Sequence, residues 1–419
     1  MACTLNSNAN SARFDLIVVG GGAAGFFTAI CFAEKNPGTA VLILESSQEV
    51  LGKVRVSGGG RCNVTHHCFE PSALIQHYPR GQKELRGPFS RFGPAETIQW
   101  FESHGVPLKT EEDGRMFPRA NTSEAVINLF VQCCRDHNIQ IHCGERVELF
   151  RPESVGWFVK SSRATYLTNS LMVATGSDRR TWDLMASMGH HMIAPVASLY
   201  TFNISEKALQ ELTGISVMKA KVRISQTNDQ AEGPLLITHW GLSGPAILKL
   251  SAWAARELME LAYKFDIDIN WIALPQEHAL EQMQNIRHQH PSKLVLNTPL
   301  FSLPQRLWQM LLLRSGMKEE SDWQSMSASN LRQLASVLCQ DHYEVNGKST
   351  YKQEFVTAGG VDLKEINFKR FESRLHPGLF LAGEILNIDA LTGGFNFQAA
   401  WTGAWIAAEA MSEDIQTKG

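Results

Sequence analysis

The stretch FDLIVVGGGAAG, residues 14–25, decides the fold of this chain. Its first six residues are apolar or branched apart from Asp15, which is typical of a strand buried on both faces. A glycine turn follows, and residues 23–34 then have helical character. A second apolar run, AVLILE at 40–45, predicts the next strand. Strand, turn, helix and strand in this order form a βαβ unit, which predicts a parallel sheet.

The glycine spacing within the turn indicates a dinucleotide site. Gly20 permits the tight turn, Gly22 lets a pyrophosphate approach the backbone, and Gly25 lets the helix pack on the strand. The phosphate then lies at the helix N-terminus, where free N–H groups and the helix dipole favour an anion. Glu45, twenty residues after Gly25, ends the second strand and can accept hydrogen bonds from a ribose diol. The pattern therefore predicts a bound dinucleotide that contains adenosine.

Two later segments distinguish FAD from NAD, which share this fingerprint. Ala174, Thr175 and Gly176 close a strand in mid-chain, and LAGE (381–384) closes another near the C-terminus. The latter leads through LTGGFNFQ (391–398) into a final helix. A nicotinamide enzyme would not need its last helix to contact the cofactor. A flavin, with its ribityl chain and large ring, does. The N-terminus of this helix, after Asn396, would favour negative charge on a reduced flavin. FAD is the predicted cofactor.

Composition and charge limit the other function classes. The chain has 419 residues, 44% hydrophobic and 19% charged, with a net charge of −3 and no basic run, so nucleic acid is not an expected partner. The N-terminus, MACTLNSNANSARF, has no apolar core of a signal peptide. The uncharged stretch 16–33 is long enough to resemble a membrane span, but its glycines favour a strand, a turn and a helix. The eight cysteines are interpreted as free thiols, and a cytoplasmic protein without membrane contact is expected.

The predicted order of strands and helices changes in the middle of the chain, and the α/β order returns near the C-terminus. IQIHCG (139–144), GWFVKS (156–161) and ATYLT (164–168) indicate a small antiparallel excursion, and SLMVAT (170–175) a further buried strand. Alternating segments after Pro195 predict antiparallel strands, and helices follow them. We assign residues 1–195 and 351–419 to the two parts of an FAD-binding domain. We assign 196–274 to an inserted antiparallel β domain and 275–350 to an inserted helical subdomain. The insert is expected to cover the flavin and to shape a substrate pocket.

The motifs resemble those of a known family. The chain is similar to the bacterial FAD-dependent oxidoreductases that include aminoacetone oxidase and a bile-acid dehydroxylation reductase. The matching segments span nearly the whole chain: VVGGGAAG (18–25), GKVRVSGGGRCNVTH (52–66), THWGLSGPAILKLS (238–251), TAGGVDL (357–363) and AGEILNIDALTGGFNFQAAWTG (382–403). The resemblance implies an α/β fold, with a glutathione-reductase-type FAD-binding Rossmann domain and an inserted β-barrel-like plus helical domain.

Carried over by position, the resemblance implies a set of FAD contacts along the chain. They are Gly20, Gly22, Ala24, Gly25, Glu45, Lys53, Gly59, Gly60, Arg61, Asn63, Val147, Ala174, Thr175, Gly176, Gly383, Glu384, Gly394, Asn396 and Phe397. Three positions depart from the family pattern: Asn387 stands where Asp is usual, Phe395 where Tyr is common, and His66 where Asn is frequent. These departures concern the chemistry near the flavin rather than cofactor binding.

Other reactive side chains are given lesser roles. Cys62 and Cys68 do not have the spacing of a disulfide reductase, and with His66 and His67 they fit no usual zinc pattern, so no metal is expected. His239 is a candidate general acid, although a histidine that orders its loop is the favoured interpretation. Arg115 and Arg119 are candidates for an acidic substrate or the phosphate of a nicotinamide cofactor.

The sequence thus predicts an FAD-dependent oxidoreductase that exchanges hydride between the flavin and a small organic substrate, NAD(P)H, or both. No second glycine fingerprint marks an NAD(P)H site, and direct oxidation of an organic substrate with oxygen as acceptor is equally open. Two alternatives stay open at this point. One is a flavin-binding sensor or interaction protein without turnover, and the other is an FAD-dependent RNA-modifying enzyme. The catalytic residues are not assigned.

Overall fold

The computed structural model describes residues 12–349 and 356–418. Its strands are β1 (Ala12–Val19), β2 (Val41–Leu44), β3 (Thr65–His66), β4 (Leu108–Thr110), β5 (Arg115–Pro118), β6 (Gln140–His142), β7 (Val147–Pro152), β8 (Trp157–Ser161), β9 (Thr165–Val173), β10 (Met192–Ser198), β11 (Thr201–Asn203), β12 (Ser216–Ile224), β13 (Gln230–Thr238), β14 (Gly241–Ser243), β15 (Lys264–Asn270), β16 (Asp341–Asn346), β17 (Lys348–Ser349), β18 (Val356–Val361), β19 (Ile366–Asn367), β20 (Glu372–Ser373) and β21 (Leu379–Leu381).

The helices alternate with these strands. They are α1 (Ala23–Lys35), α2 (Gly52–Gly60), α3 (Pro71–Leu74), α4 (Gln82–Phe89), α5 (Pro94–Ser103), α6 (Glu124–Asp136), α7 (Arg179–Ser187), α8 (Lys207–Gln210), α9 (Pro245–Trp253), α10 (Ala255–Glu260), α11 (Gln276–Gln289), α12 (Gln305–Arg314), α13 (Ala328–Cys339) and α14 (Phe395–Lys418). Short 3₁₀ turns lie at Ile75–His77, Val295–Asn297 and Leu363–Glu365.

The described residues form two compact units. One comprises residues before Val196 together with those after Val356, and the other comprises the chain between these positions. Each unit has its own hydrophobic core. The four-part domain assignment made from the sequence stays a prediction.

A mixed sheet organises the first unit. Its strands lie in the order β19-β20-β21-β9-β1-β2-β6, and β7 and β8 extend from β9 as an antiparallel pair. The five strands from β21 to β6 are parallel. In β1 and β2, Leu16 is paired with Val41 and Val19 with Leu44. All of Val41–Leu44 is buried, as the apolar run predicts for a strand covered on both faces. The predicted βαβ unit and α/β fold class are confirmed.

Two local predictions were wrong within this sheet. The segment IQIHCG does not belong to the antiparallel excursion, because β6 joins β2 in parallel at the sheet edge. ATYLT and SLMVAT are not separate strands, because β9 runs unbroken from Thr165 to Val173. β1 pairs with β9 from Tyr166 to Val173, while β8 pairs with the first residues of β9 and β21 with the last. Pairing with β1 continues past the polar residue Asn169 and keeps this strand continuous.

Helices α1 and α14 cover the sheet through an aromatic cluster. The ring of Phe27 in α1 lies 4.6 Å from that of Trp100 and 5.2 Å from that of Trp401, measured between ring centroids. Trp401 is fully buried and donates its indole N–H to the carbonyl oxygen of Val64 (2.9 Å). The uncharged stretch 16–33 is therefore a strand, a turn and a buried helix. Within the described residues, no helix has both the length and the apolarity needed to cross a membrane.

An antiparallel sheet organises the second unit, in the order β16-β15-β12-β13-β14-β11-β17. Helices α11, α12 and α13 follow β15, as predicted for residues 275–350. That segment is not helical throughout, because β16 and β17 return the chain to the sheet after Cys339. The residues of β16, DHYEVN, alternate between buried and exposed, which is the period of a half-buried strand.

We predict that Asp389→Ala lowers the free energy of unfolding by about 3 kcal/mol, because it removes the buried carboxylate from its ion pair with the Arg80 guanidinium. Arg80 donates to both carboxylate oxygens of Asp389, which is 0% exposed. Chemical denaturation followed by circular dichroism measures the change. Glu148→Ala is the control, since its pair with Lys160 is about half exposed and contributes less than about 1 kcal/mol. Equal effects of the two substitutions would contradict the prediction.

Candidate functional site

The site begins where β1 turns into α1. Gly20 has φ +109°, and a Cβ atom there would lie 2.5 Å from the carbonyl oxygen of Ala174. A Cβ at Gly25 would lie 2.0 Å from the carbonyl oxygen of Gly20, so only glycine allows this approach of helix and turn. Gly22, by contrast, faces open space, and no side chain caps the helix that follows it. The first N–H groups of α1 are therefore available to an anion.

Glu45 lies beside this turn, directly after β2. One carboxylate oxygen accepts from the Gly21 N–H (2.7 Å) and the other from the Ser47 N–H (2.7 Å). Ionised carboxylates have about four acceptor positions, so these two bonds leave capacity for a diol. The N–H of Glu145 donates to the carbonyl oxygen of Glu45 (2.8 Å), and Val147 follows at the start of β7. The residues predicted to contact the adenosine thus meet at one edge of the sheet, although they come from distant segments.

The segment after β9 forms the next part of this edge. The Ala174 N–H donates to the carbonyl oxygen of Val19 (2.8 Å), which extends the pairing of β9 with β1. The hydroxyl oxygen of Thr175 is buried and has no hydrogen-bond partner among the described residues. Gly176 follows with φ +62°. A buried hydroxyl without a partner is available to hydrogen-bond a ligand at this edge.

The segment VSGGGRCNV is helical as far as Val56 and then leaves helical geometry. Gly58, Gly59 and Gly60 have φ values of +57°, +68° and +83°. A Cβ at Gly58 would meet the Phe117 ring at 2.8 Å, whereas Cβ atoms at Gly59 and Gly60 would have nothing within 4 Å. The last two glycines therefore present bare backbone to open space. Cys62 is fully buried, and burial raises its pKa to about 12, so its thiol is a packing group.

Arg61 is engaged by the protein itself. Its guanidinium donates to Glu111 (2.6 Å) and lies 4.0 Å from the centre of the Phe117 ring. Arg115 also pairs with Glu111, and with Asp113. Arg119 donates to the carbonyl oxygen of Leu108 (3.3 Å). The side chain of Arg61 therefore orders its loop, and a cofactor contact by this residue would involve its backbone.

Asn63 ties this loop to the segment before the last helix. With its amide oxygen accepting from the Gly394 N–H (3.0 Å), its amide nitrogen faces the carbonyl oxygens of Thr65 (3.0 Å) and Met116 (3.2 Å). Gly394 has φ +90°, and a Cβ there would lie 2.5 Å from the carbonyl oxygen of Thr65. The fully buried Gln398 accepts from the Thr65 hydroxyl (2.5 Å). Residues more than 300 positions apart in sequence are thereby fixed together.

The N-terminus of α14 belongs to the same site. Its first helical bond runs from the Gln398 N–H to the Gly394 carbonyl (2.9 Å), so the preceding N–H groups have no partner within the helix. The Asn396 side chain bonds both backbone groups of Ala390 (3.0 Å each), and the Phe397 ring stacks on Trp401 at 5.5 Å. Both side chains hold the helix start in place.

A small cleft joins this helix start to the end of β21. Its lining includes Gly383, Glu384 and Asn396. Glu384 forms an ion pair with Lys53 of α2, and a Cβ at Gly383 would lie 3.4 Å from the Cβ of Ala24. The predicted site residues of the two chain ends therefore converge on the carboxyl edge of the parallel strands, where open α/β sheets bind nucleotides.

Comparison with known proteins identifies the family. Residues 14–410 match the HI0933-like protein Rossmann domain. The chain belongs to this family. An Escherichia coli K12 ribosomal RNA dihydrouridine synthase is 27% identical over 95% of this chain and 98% of its own. A Clostridium scindens 3-dehydro-bile acid delta(4,6)-reductase is 26% identical over 94% of this chain and 98% of its own.

Solved structures show the same fold at low identity. The HI0933-like chain superposes on the 3-ketosteroid-delta4-(5alpha)-dehydrogenase of Rhodococcus jostii RHA1 with a TM-score of 0.53, at 12% identity, covering 97% of this chain and 98% of the other. For the 3-ketosteroid delta1-dehydrogenase of Sterolibacterium denitrificans the TM-score is 0.52, at 12% identity, covering 96% and 100%. The predictions of an FAD cofactor and of an FAD-dependent oxidoreductase are confirmed.

The HI0933-like site fits FAD by its own chemistry. An uncapped helix start at Gly22 suits a pyrophosphate, and the bare backbone at Gly59 and Gly60 permits close approach of a long cofactor. The hydroxyl of Thr175 and the amide oxygen of Asn387 are buried without partners among the described residues. FAD offers donors and acceptors along its whole length, so it can satisfy such atoms.

Several residues of the site were not found from the sequence. Glu145 is buried and accepts from the hydroxyls of Ser161 (2.5 Å) and Tyr166 (2.6 Å), next to Glu45. His77 stacks on Phe395 at 4.1 Å. No local pattern marks these residues, because each gains its partners through tertiary contacts. His239 lies in the second unit, in the turn between β13 and β14, where it has no assigned role.

We predict that Gly59→Val abolishes FAD binding, because valine would occupy the open side of the loop at a backbone conformation with φ +68°. Cys62→Ser keeps FAD, since the thiol is buried in the hydrophobic core as a packing group. Absorbance of the purified proteins near the flavin bands measures occupancy.

Gly38→Val is the matched control for Gly59→Val. Gly38 has φ +86° and equally open surroundings, but it lies in the exposed turn between α1 and β2. It therefore carries the same backbone strain away from the site. Retention of FAD by Gly59→Val, or its loss in Gly38→Val, would count against the assignment of this loop.

Proposed function

We propose that the protein reduces a carbon–carbon double bond conjugated to a carbonyl group, in a small organic substrate. One observation carries the proposal: full-length relatives with unlike substrates have names that describe the same chemistry. Dihydrouridine arises by reduction of the uracil double bond conjugated to a ring carbonyl. A delta(4,6) reductase acts on double bonds conjugated to the ketone of a 3-dehydro steroid. Relatives that share the same hydride-transfer chemistry but differ in their substrate pockets would account for both reactions.

We propose that FAD binds along the carboxyl edge of the parallel strands. Gly20, Gly22, Ala24 and Gly25 hold the pyrophosphate, and Glu45 and Val147 the adenosine. The remaining contacts lie towards the flavin: Lys53, Gly59, Gly60, Arg61, Asn63, Ala174, Thr175, Gly176, Gly383, Glu384, Gly394, Asn396 and Phe397. When bound, FAD supplies a hydride donor and acceptor at N5. The free N–H groups at the start of α14 then favour negative charge at the edge of the ring that faces them.

We propose NAD(P)H as the source of hydride. No second glycine fingerprint follows any strand, so the nicotinamide cofactor would bind transiently and without a dedicated Rossmann site. A transient donor and a substrate can use one flavin face in turn.

We also propose a cytoplasmic location. The seven cysteines within the described residues are free thiols, which fits this location.

We predict that cyclohexenone with its double bond next to the carbonyl reoxidises the reduced protein, and that the unconjugated isomer does not. Only in the conjugated isomer does hydride addition to the β carbon of the double bond pass the negative charge to the carbonyl oxygen, where a proton then completes the reduction. The protein is reduced anaerobically with NADH or NADPH, and flavin absorbance follows reoxidation. Reoxidation by both isomers at the same rate, or by oxygen alone, would refute the proposed reaction.

Uridine in ribosomal RNA is the second candidate substrate. Ribosomal RNA dihydrouridine synthases of Escherichia coli and Haemophilus influenzae are 27% and 26% identical to this chain over nearly its whole length. A net charge of −3 gives no general attraction to a polyanion, which favours the small substrate.

Ribosomal RNA incubated with the NADPH-reduced protein distinguishes the two substrates. We expect no dihydrouridine after nuclease digestion and mass spectrometry, with heat-denatured protein as the blank. Formation of dihydrouridine would assign the substrate to RNA and leave the reduction of a conjugated double bond unchanged.

A further inference from the structure

Three aromatic rings form a stack beside the Gly394 segment, within the first unit. The Phe395 ring contacts His66, at 4.6 Å and 23° between ring planes, and His77, at 4.1 Å and 10°, and the two histidine rings are themselves 5.9 Å apart, so each ring of the stack touches the other two. Phe395 is 2% exposed and begins α14, whereas His66 ends β3. The tilt and position of the His66 ring are therefore set by elements from distant parts of the chain.

Glycines confine the edges of the same ring. A Cβ atom at Gly114 would lie 2.5 Å from Cε1 of His66, and one at Gly393 would lie 3.4 Å from its Cδ2. Both glycines have positive φ, of +85° and +134°. The backbone at Gly114 and Gly393 thus lies against two edges of the imidazole, and a side chain at Gly114 would displace the ring.

One hydrogen bond decides the tautomer of His66. Its Nε2 lies 3.1 Å from the carbonyl oxygen of Asp113, and a carbonyl oxygen only accepts, so Nε2 carries the proton. Burial lowers the pKa of His66 below its ordinary value, more than its contacts with Asp113 raise it. The ring is therefore neutral, and Nδ1 carries a lone pair. This nitrogen is buried and has no partner among the described residues.

The unpartnered nitrogen belongs to the segment that we assign to the flavin. The neighbouring Thr65 carbonyl meets Gly394, whose N–H donates to Asn63. We propose that Nδ1 of His66 accepts a hydrogen bond from a ring imide N–H, the group that lies between two carbonyls in a pyrimidine-dione. The inference rests on the proposed function, since this group occurs in the flavin ring and in uracil. A ligand carbonyl could not serve, because two acceptors would face each other.

Substitution of the histidine and methylation of the imide together test the inference. His66→Phe keeps a ring in the stack and removes the acceptor, and His77→Phe makes the same ring change at the other histidine that contacts Phe395. Apoprotein of each variant is titrated with FAD and with FAD methylated at N3, and flavin fluorescence gives the dissociation constants. The FAD-loaded proteins are then titrated with uridine monophosphate and its N3-methyl derivative, and the flavin absorption band reports binding.

The expected result is a coupling between the two changes. Methylation weakens binding about tenfold in the wild type and in His77→Phe, but about twofold or less in His66→Phe. Coupling with methylated FAD assigns the donor to the cofactor, and coupling with the methylated nucleotide assigns it to a uracil substrate. Should His66→Phe fail to fold, as judged by circular dichroism, His66→Leu replaces it.

The absence of coupling in both titrations, including failure of the mononucleotide to bind, overturns the inference. That result is distinguishable from failure of the proposed function. If the wild type, His66→Phe and His77→Phe bind FAD with the same affinity and still reduce the conjugated enone, the proposed function stands. Only the role proposed for His66 is then refuted.

Discussion

The structure depends on the close approach of the β1–α1 turn to the end of β9. Gly20 and Ala174 are in backbone contact so tight that a Cβ on Gly20 would lie 2.5 Å from the Ala174 carbonyl oxygen. Gly25 brings α1 equally close to Gly20. This packing aims the uncapped start of α1 along the sheet edge, where the helix dipole and free N–H groups attract a pyrophosphate. Any larger residue at Gly20 or Gly25 would move the helix away from the strand. The free N–H groups at the start of α1 would then no longer lie at the sheet edge.

A second constraint closes the other end of the site. The Gly394 segment packs against Thr65, and the Thr65 hydroxyl donates to the buried Gln398 (2.5 Å). Because Gln398 also accepts from Thr97 (3.0 Å), one amide joins three segments of the chain. Contacts within the protein therefore fix the start of α14 against Thr65 and Thr97, independently of any ligand. Such preorganisation lets fixed N–H groups stabilise charge without further rearrangement.

The sequence predicted those parts of the site whose causes are local. The glycines at 20, 22 and 25, the apolar strand before them and Glu45 each have a short-range physical reason, and the βαβ unit is found as expected. Features that arise from distant pairing were missed or misassigned. The parallel pairing of β6 with β2 depends on residues about a hundred positions apart, and Arg61 meets Glu111 only because β3, β4 and β5 form a small sheet. The stack of His66, Phe395 and His77 has no sequence pattern, since its members come from three separate elements.

Buried polar atoms without partners connect stability to the ligand. The hydroxyl of Thr175, the amide oxygen of Asn387 and Nδ1 of His66 lack partners among the described residues. Each such atom costs about 1–3 kcal/mol when it is left unsatisfied, and a protein tolerates this cost where a ligand removes it. Since a ligand that binds only the folded state stabilises it, the same atoms that weaken the ligand-free protein strengthen its complex. His66 and Asn387 also stand where the resembling family usually has other residues. The proposed cofactor and substrate would therefore complete hydrogen bonds that the fold itself leaves open.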